Sequence, residues 1–191
     1  MSIVVAVSKG GRTVLAADTM HFYGSRREHT DNLTNRPKVR KIGTSYVGGV
    51  GWSVYDNIML HYFRSRKRPP TLNNEIAIFD CFLRLWRALK DHYQVVNDQP
   101  QKEDESPFAS LDSEFLVVNR HGIFQVDSDL TVTRFAKYAA VGSGDRYAYG
   151  ALDQLYDTNR SADAIAQAAV ATAIHFDNTC GGQIECYSVG K

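Results

Sequence analysis

Ser2-Ile3-Val4-Val5-Ala6-Val7, then Gly10-Gly11, then Thr13-Val14-Leu15-Ala16-Ala17-Asp18 is the stretch whose reading decides the fold. Two short apolar runs joined by Gly-Gly predict a β-hairpin, because glycine tolerates the positive φ that a tight hairpin turn requires. The first strand begins with the hydroxyl of Ser2, and the second ends in the carboxylate of Asp18. A later strand-like run, Pro37-Lys38-Val39-Arg40-Lys41-Ile42, opens with a lysine. Ser2, Asp18 and Lys38 are expected to meet in one site.

Those residue types suit one another chemically. A serine hydroxyl is a weak nucleophile until a base takes its proton. If Met1 is removed, which the small second residue permits, the α-amine of Ser2 can serve as that base. Its unperturbed pKa, roughly 7.7–8.0, leaves it partly neutral at working pH. A neighbouring Lys38 ammonium favours the neutral amine, and a buried Asp18 holds the lysine charged and in place. Spacing alone fits an ordinary hairpin equally well.

The same residues, with Gly11 and Lys38-Val39-Arg40-Lys41-Ile42, resemble the start of a proteasome β-type subunit or its bacterial relative HslV. The resemblance implies an N-terminal nucleophile at Ser2, supported by Asp18 and Lys38. Serine stands where that family usually has threonine, so the methyl group that fixes the hydroxyl rotamer is missing and a slower catalyst is expected.

Composition fits a single domain over residues 1–191 with a sizeable core. Apolar residues make up 43%, and 22 Lys+Arg stand against 21 Asp+Glu, which argues against a nucleic-acid surface. Cys81, Cys180 and Cys186 form no CxxC pair and suit a reducing cytosol. The opening apolar run is too short for a signal peptide or membrane span. A cytoplasmic protein without cofactor, metal, nucleic-acid or membrane partner is expected.

Residues 20–36 read as a polar loop, with His21 and Phe22 as candidate pocket walls. Ile42 to Ser53 reads as a strand running into a glycine-rich turn before a helix, a setting that presents backbone N–H groups to an anion. The GxxxxGK[ST] phosphate loop is absent. By resemblance, the oxyanion donor falls on Gly51, with Gly48 and Gly49 crowding the register. Arg40, Gly49 and Ser53 join His21 and Phe22 as substrate-binding candidates.

Helices are expected from Val54 to Arg68, stopped by Pro69-Pro70, and from about Asn74 to Val96. Arg64, Arg66, Lys67 and Arg68 read as a solvated face at a helix end. The stretch 97–110 reads as an exposed loop. Strands follow at Glu114–Asn119, Gly122–Val126, Leu130–Arg134 and Tyr138–Val141, then helices to about Tyr156 and from Ser161 to Phe176, then a strand Gln183–Val189. This order predicts an α+β plan rather than a βαβ repeat.

Gly142-Ser143-Gly144-Asp145 and Asp177-Asn178-Thr179-Cys180-Gly181-Gly182 complete the resemblance. It implies that Ser143 orients the terminal amine and that Asp177 joins the polar network. Cys180 replaces a serine there, exchanging a hydroxyl for a weak thiol donor. The balance of motifs is most similar to the small bacterial proteasome homologues. The resemblance implies a four-layer αββα sandwich of the N-terminal-nucleophile hydrolase type, cleaving peptides or unfolded polypeptide inside stacked homo-oligomeric rings. Six or seven subunits per ring both fit, with seven favoured by the same likeness, and a separate ATPase or regulator feeding the rings stays an open partner. The alternatives are a ring-forming subunit with little or no turnover, and an amidase or acylase. Trp52, Phe63, Phe82, Trp86 and Tyr93 exceed what one buried face needs, so subunit contacts are expected among them.

Overall fold

The computed structural model describes residues 2–23, 26–28, 32–34, 37–94 and 111–190. The opening hairpin is formed as the sequence predicts: β1 (Val4–Lys9) pairs antiparallel with β2 (Arg12–Asp18), Val4 opposite Ala17 and Lys9 opposite Arg12. Gly10 and Gly11 both carry positive φ in the turn. Two short strands, β3 (His21–Tyr23) and β4 (Arg26–Glu28), pair inside the segment expected to be a loop.

Five further strands build a second sheet. They are β5 (Val39–Ile42), β6 (Ser45–Gly51), β7 (Ser113–Asn119), β8 (Gly122–Val126) and β9 (Val132–Phe135), in that spatial order. With β10 (Tyr138–Val141) and β11 (Ile184–Gly190), the first sheet runs β10-β1-β2-β11. β1 and β2 are apolar on both faces because they are covered on both. Val5, Val7, Val14 and Ala16 face the helices, while Val4, Ala6, Leu15 and Ala17 face the other sheet.

The helices are α1 (Val54–Arg64), α2 (Glu75–Ala88), α3 (Asp145–Tyr156) and α4 (Ala162–Phe176). Ile58, Met59 and Tyr62 of α1, with Ile78, Phe82 and Leu85 of α2, pack with Phe115, Val117 and Phe124 of the second sheet. Ala148 and Leu152 of α3, with Ile165 and Ala169 of α4, cover the first. The layers are therefore α, β, β, α. α4 is capped by Ser161, whose Oγ accepts the Ala164 N–H at 3.2 Å, and α2 by Asn74, whose side chain accepts the Ala77 N–H at 2.9 Å.

Several boundaries differ from the sequence reading. α1 stops at Arg64 rather than Arg68, and the Ser65 hydroxyl donates to the Tyr62 carbonyl at 2.9 Å to close the end. The second helix becomes a π-helical turn over Leu89–Tyr93 and ends where Gln94 turns left-handed, φ 55°; Val96 and residues 97–110 lie outside the described residues. Leu130, at φ 72°, belongs to a turn whose N–H bonds the Asp127 carbonyl at 2.9 Å, so its strand begins at Val132. Phe82 is a core residue, 1% exposed, not a spare contact residue. It lies against Phe115, ring centroids 5.1 Å apart.

The two sheets approach closely at Gly48, where an added Cβ would sit 2.7 Å from Val4 Cγ1 and 3.4 Å from Leu15 Cδ2. Gly150, in the middle of α3, has nothing within 4 Å of such a Cβ. Gly48→Ala should therefore destabilise by about 1–3 kcal/mol through overpacking, whereas Gly150→Ala should stabilise by about 0.5–1 kcal/mol through helix propensity. Denaturant titration of both variants checks the pair; equal effects would contradict the packing described.

Candidate active site

Asp18 ends β2 and is fully buried, where an isolated carboxylate would be costly. It is not isolated. Its Oδ1 accepts the Lys38 ammonium at 2.6 Å and the Ile3 N–H at 3.0 Å, and its Oδ2 accepts the Gly181 N–H at 3.0 Å. Lys38, immediately before β5, is also buried. Burial lowers its pKa from the ordinary lysine value, with the Asp18 charge and hydrogen bond opposing that fall. One carboxylate thus fixes the backbone beside Ser2, the start of β5 and the turn after α4.

Ser2 lies at this junction, and Ser143 approaches it from the other side. Ser143 Oγ lies 3.4 Å from the Ser2 carbonyl oxygen. The two backbones can approach because Gly142 has no side chain: a Cβ there would meet the Ser2 oxygen at 2.1 Å, and its φ of +108° disfavours any L residue. Met1 lies outside the described residues.

Asp177 follows α4, and its Oδ1 accepts the Thr179 N–H at 2.8 Å and the Thr179 hydroxyl at 2.7 Å. Burial alone would raise its pKa, but the Thr179 hydroxyl and N–H, with Ser143 and Cys180, outweigh it and hold the carboxyl below its ordinary range. Thr179 Oγ1 also lies 2.7 Å from Ser143 Oγ. Cys180 Sγ stands farther off, 3.9 Å from Ser143 Oγ. It packs in the apolar layer with α3 and α4, and burial, with the Asp18 and Asp177 charges, pushes its thiol up to about 12. It is no thiolate nucleophile at neutral pH.

A cleft of about 470 Å³ opens beside Ser2 and Lys38. His21, Phe22, Arg40, Gly49, Gly51 and Ser53, all expected near substrate, line it. The sequence reading missed the apolar walls Met20, Tyr55, Met59 and Phe115, and missed Asp56, whose Oδ1 lies 3.7 Å from Arg40 Nη2. Tyr55 and Met59 recur at helical spacing on α1, a pattern that could have flagged them. Gly51 ends β6 at φ +127°, and an added Cβ would meet Ser113 Oγ at 2.2 Å, so the turn there demands glycine. Among the described residues, no group of His, Cys, Asp and Glu is placed to hold a metal ion, and no helix is long and apolar enough to cross a membrane.

Removing the Asp18 charge would leave the Lys38 ammonium buried without its partner. Asp18→Asn should cost about 3–5 kcal/mol of stability, and adding Lys38→Met should return much of that loss. Thermal unfolding of the single and double variants measures this; an additive pair would show that the two groups are not coupled.

The proteasome subunit family model matches residues 92–189. Among solved structures, Thiobacillus denitrificans BPH is 33% identical over 98% of this chain and 97% of its own, with a TM-score of 0.90. The same protein in complex with epoxomicin gives 32% identity over 98% of both chains and a TM-score of 0.89. HslV from Trypanosoma brucei, at 17% identity over 99% of both chains and a TM-score of 0.70, shares the fold. No curated protein matches the sequence.

Proposed function

The chain belongs to the proteasome family, and from that premise we propose that it is a peptidase subunit whose nucleophile is the hydroxyl of Ser2. The observation that carries this reading is the buried Asp18–Lys38 pair, 2.6 Å apart, with Lys38 and Ser2 both lining the cleft. Removal of Met1 frees the amine. That amine takes the Ser2 hydroxyl proton as Oγ attacks the substrate carbonyl, and the Lys38 charge keeps it neutral beforehand. The oxyanion forms beside Gly51, whose N–H is the proposed donor. The C–N bond then breaks, the leaving amine takes the proton, and an ester joins the acyl group to Ser2. Water, deprotonated by the same amine, attacks the ester; the acid leaves and Ser2 Oγ recovers its proton.

The cleft supports a large, uncharged side chain next to the cleaved bond. Met20, Tyr55, Met59 and Phe115 offer apolar surface, and Arg40 and Asp56 balance each other's charge. A charged side chain would be desolvated against those apolar walls. Assembly into closed rings would limit access to unfolded chains, and Trp52 and Ile76, 71% and 75% exposed, are surfaces such contacts would cover. An ATPase or other regulator would then supply unfolded substrate.

Three kinetic outcomes test the reading on purified, processed protein. Ser2→Ala should abolish hydrolysis of peptides ending in large neutral residues, whereas Ser2→Thr should retain or raise kcat, because the added methyl restricts χ1. The rate should fall as pH drops through the amine's pKa, set below roughly 7.7–8.0 by the lysine. Undiminished turnover in Ser2→Ala would end the proposal. Turnover too low to measure in the wild type, rescued by Ser2→Thr, would favour the weak ring-forming subunit instead.

A further inference from the structure

We infer that Thr179, rather than Cys180, is the positioning residue that turns Ser143 toward the nucleophile. The inference rests on the reading of Ser2 as an N-terminal nucleophile. It follows from counting hydrogens along one short chain of contacts: Asp177 Oδ1 to Thr179 Oγ1 at 2.7 Å, then Thr179 Oγ1 to Ser143 Oγ at 2.7 Å. An ionised carboxylate only accepts hydrogen bonds, and a threonine hydroxyl has a single proton to give. That proton goes to Asp177, whose carboxyl is held in its charged form by the same contact. The Thr179 oxygen can then only accept from Ser143.

The count settles what Ser143 offers its other neighbours. Its proton goes to the nearest acceptor, Thr179 Oγ1 at 2.7 Å, in preference to the Ser2 carbonyl at 3.4 Å and Cys180 Sγ at 3.9 Å. What remains are lone pairs beside the first residue of the processed chain. Such an acceptor takes an N–H from the freed α-amine and fixes the amine's rotation, which keeps the amine's own lone pair available to the Ser2 hydroxyl. Without Thr179, the Ser143 proton is released to turn toward Ser2, where it would compete for that lone pair.

Cys180 cannot take the part. Its sulfur is 3.9 Å from Ser143 Oγ, a thiol is a weak donor and acceptor, and its side chain is packed among apolar residues. A Cβ on Gly144 would lie only 2.9 Å from that sulfur, so the sulfur fills space that the turn depends on. The serine-to-cysteine replacement is thus made good one residue earlier in the chain.

The test compares Thr179→Val, Thr179→Ser and Cys180→Ala in the processed full-length protein, recording kcat, KM, the pH profile and the thermal midpoint. Thr179→Val should lower kcat about 10-fold or more through misorientation, with KM within about twofold. It should also move the acid limb of kcat/KM to lower pH, because the amine loses an acceptor and gains a competing donor. Thr179→Ser should restore most of the rate, and Cys180→Ala should cost less rate than Thr179→Val and leave the acid limb of the pH profile unmoved. An unchanged rate and profile in Thr179→Val, or the same loss in Cys180→Ala, overturns the inference. A wild type without turnover would instead count against the Ser2 reading. In that case the α-amine pKa, followed by NMR in protein lacking Met1, decides the relay separately. Thr179→Val should lower that pKa and Cys180→Ala should not; a pKa that Thr179→Val leaves unmoved overturns the inference.

Discussion

Everything around Ser2 hangs on the carboxylate of Asp18. Its two oxygens accept three donors from three parts of the chain: the Ile3 N–H, the Lys38 ammonium and the Gly181 N–H. A buried charge this well paired gives little net stability, since the attraction mainly offsets lost hydration. It does give position. β1, the start of β5 and the turn after α4 come from opposite ends of the sequence, and removing the hub would leave a buried ammonium and two unpaired donors. The cost of breaking such an arrangement makes it specific.

The layers serve that hub. β1 and β2 can place Ser2 and Asp18 at one end of a sandwich only if both faces of their sheet are covered, by α3 and α4 on one side and by the second sheet on the other. The second sheet in turn brings Lys38 and Gly51 to the same end, because β5 and β6 pair with Val39 opposite Gly48. Close approach is obtained by omitting side chains: Gly48 lets the sheets meet, and Gly142 lets the turn bearing Ser143 touch Ser2.

Much of this was legible in the sequence. Continuous apolar runs around Gly10-Gly11 announce a hairpin buried on both faces, and that plan follows whatever the loops do. Asp18 and Lys38 were legible through the family resemblance, since an Asp ending one strand and a Lys opening another are common in ordinary hairpins. Asp56 was not, since nothing marks one acidic residue on a helix as the partner of Arg40 on a strand. Helix ends were misjudged where hydrogen bonds, not prolines, stop them, as at Ser65 and Gln94. Nothing in the sequence marks Thr179, because the family-like pattern points to Cys180; distance to Ser143 Oγ separates the two, 2.7 Å against 3.9 Å.

The central claim is that Ser2, and no other side chain, is the reacting group. Epoxomicin, the ligand carried by the related Thiobacillus denitrificans BPH, offers the most direct measurement. Intact-mass analysis of the treated protein, followed by peptide mapping, should find a single adduct per processed subunit, confined to the peptide beginning at Ser2. Subunits that retain Met1 should carry none. A modification mapped to a cysteine such as Cys180, or an adduct formed equally well with Met1 in place, would contradict the account.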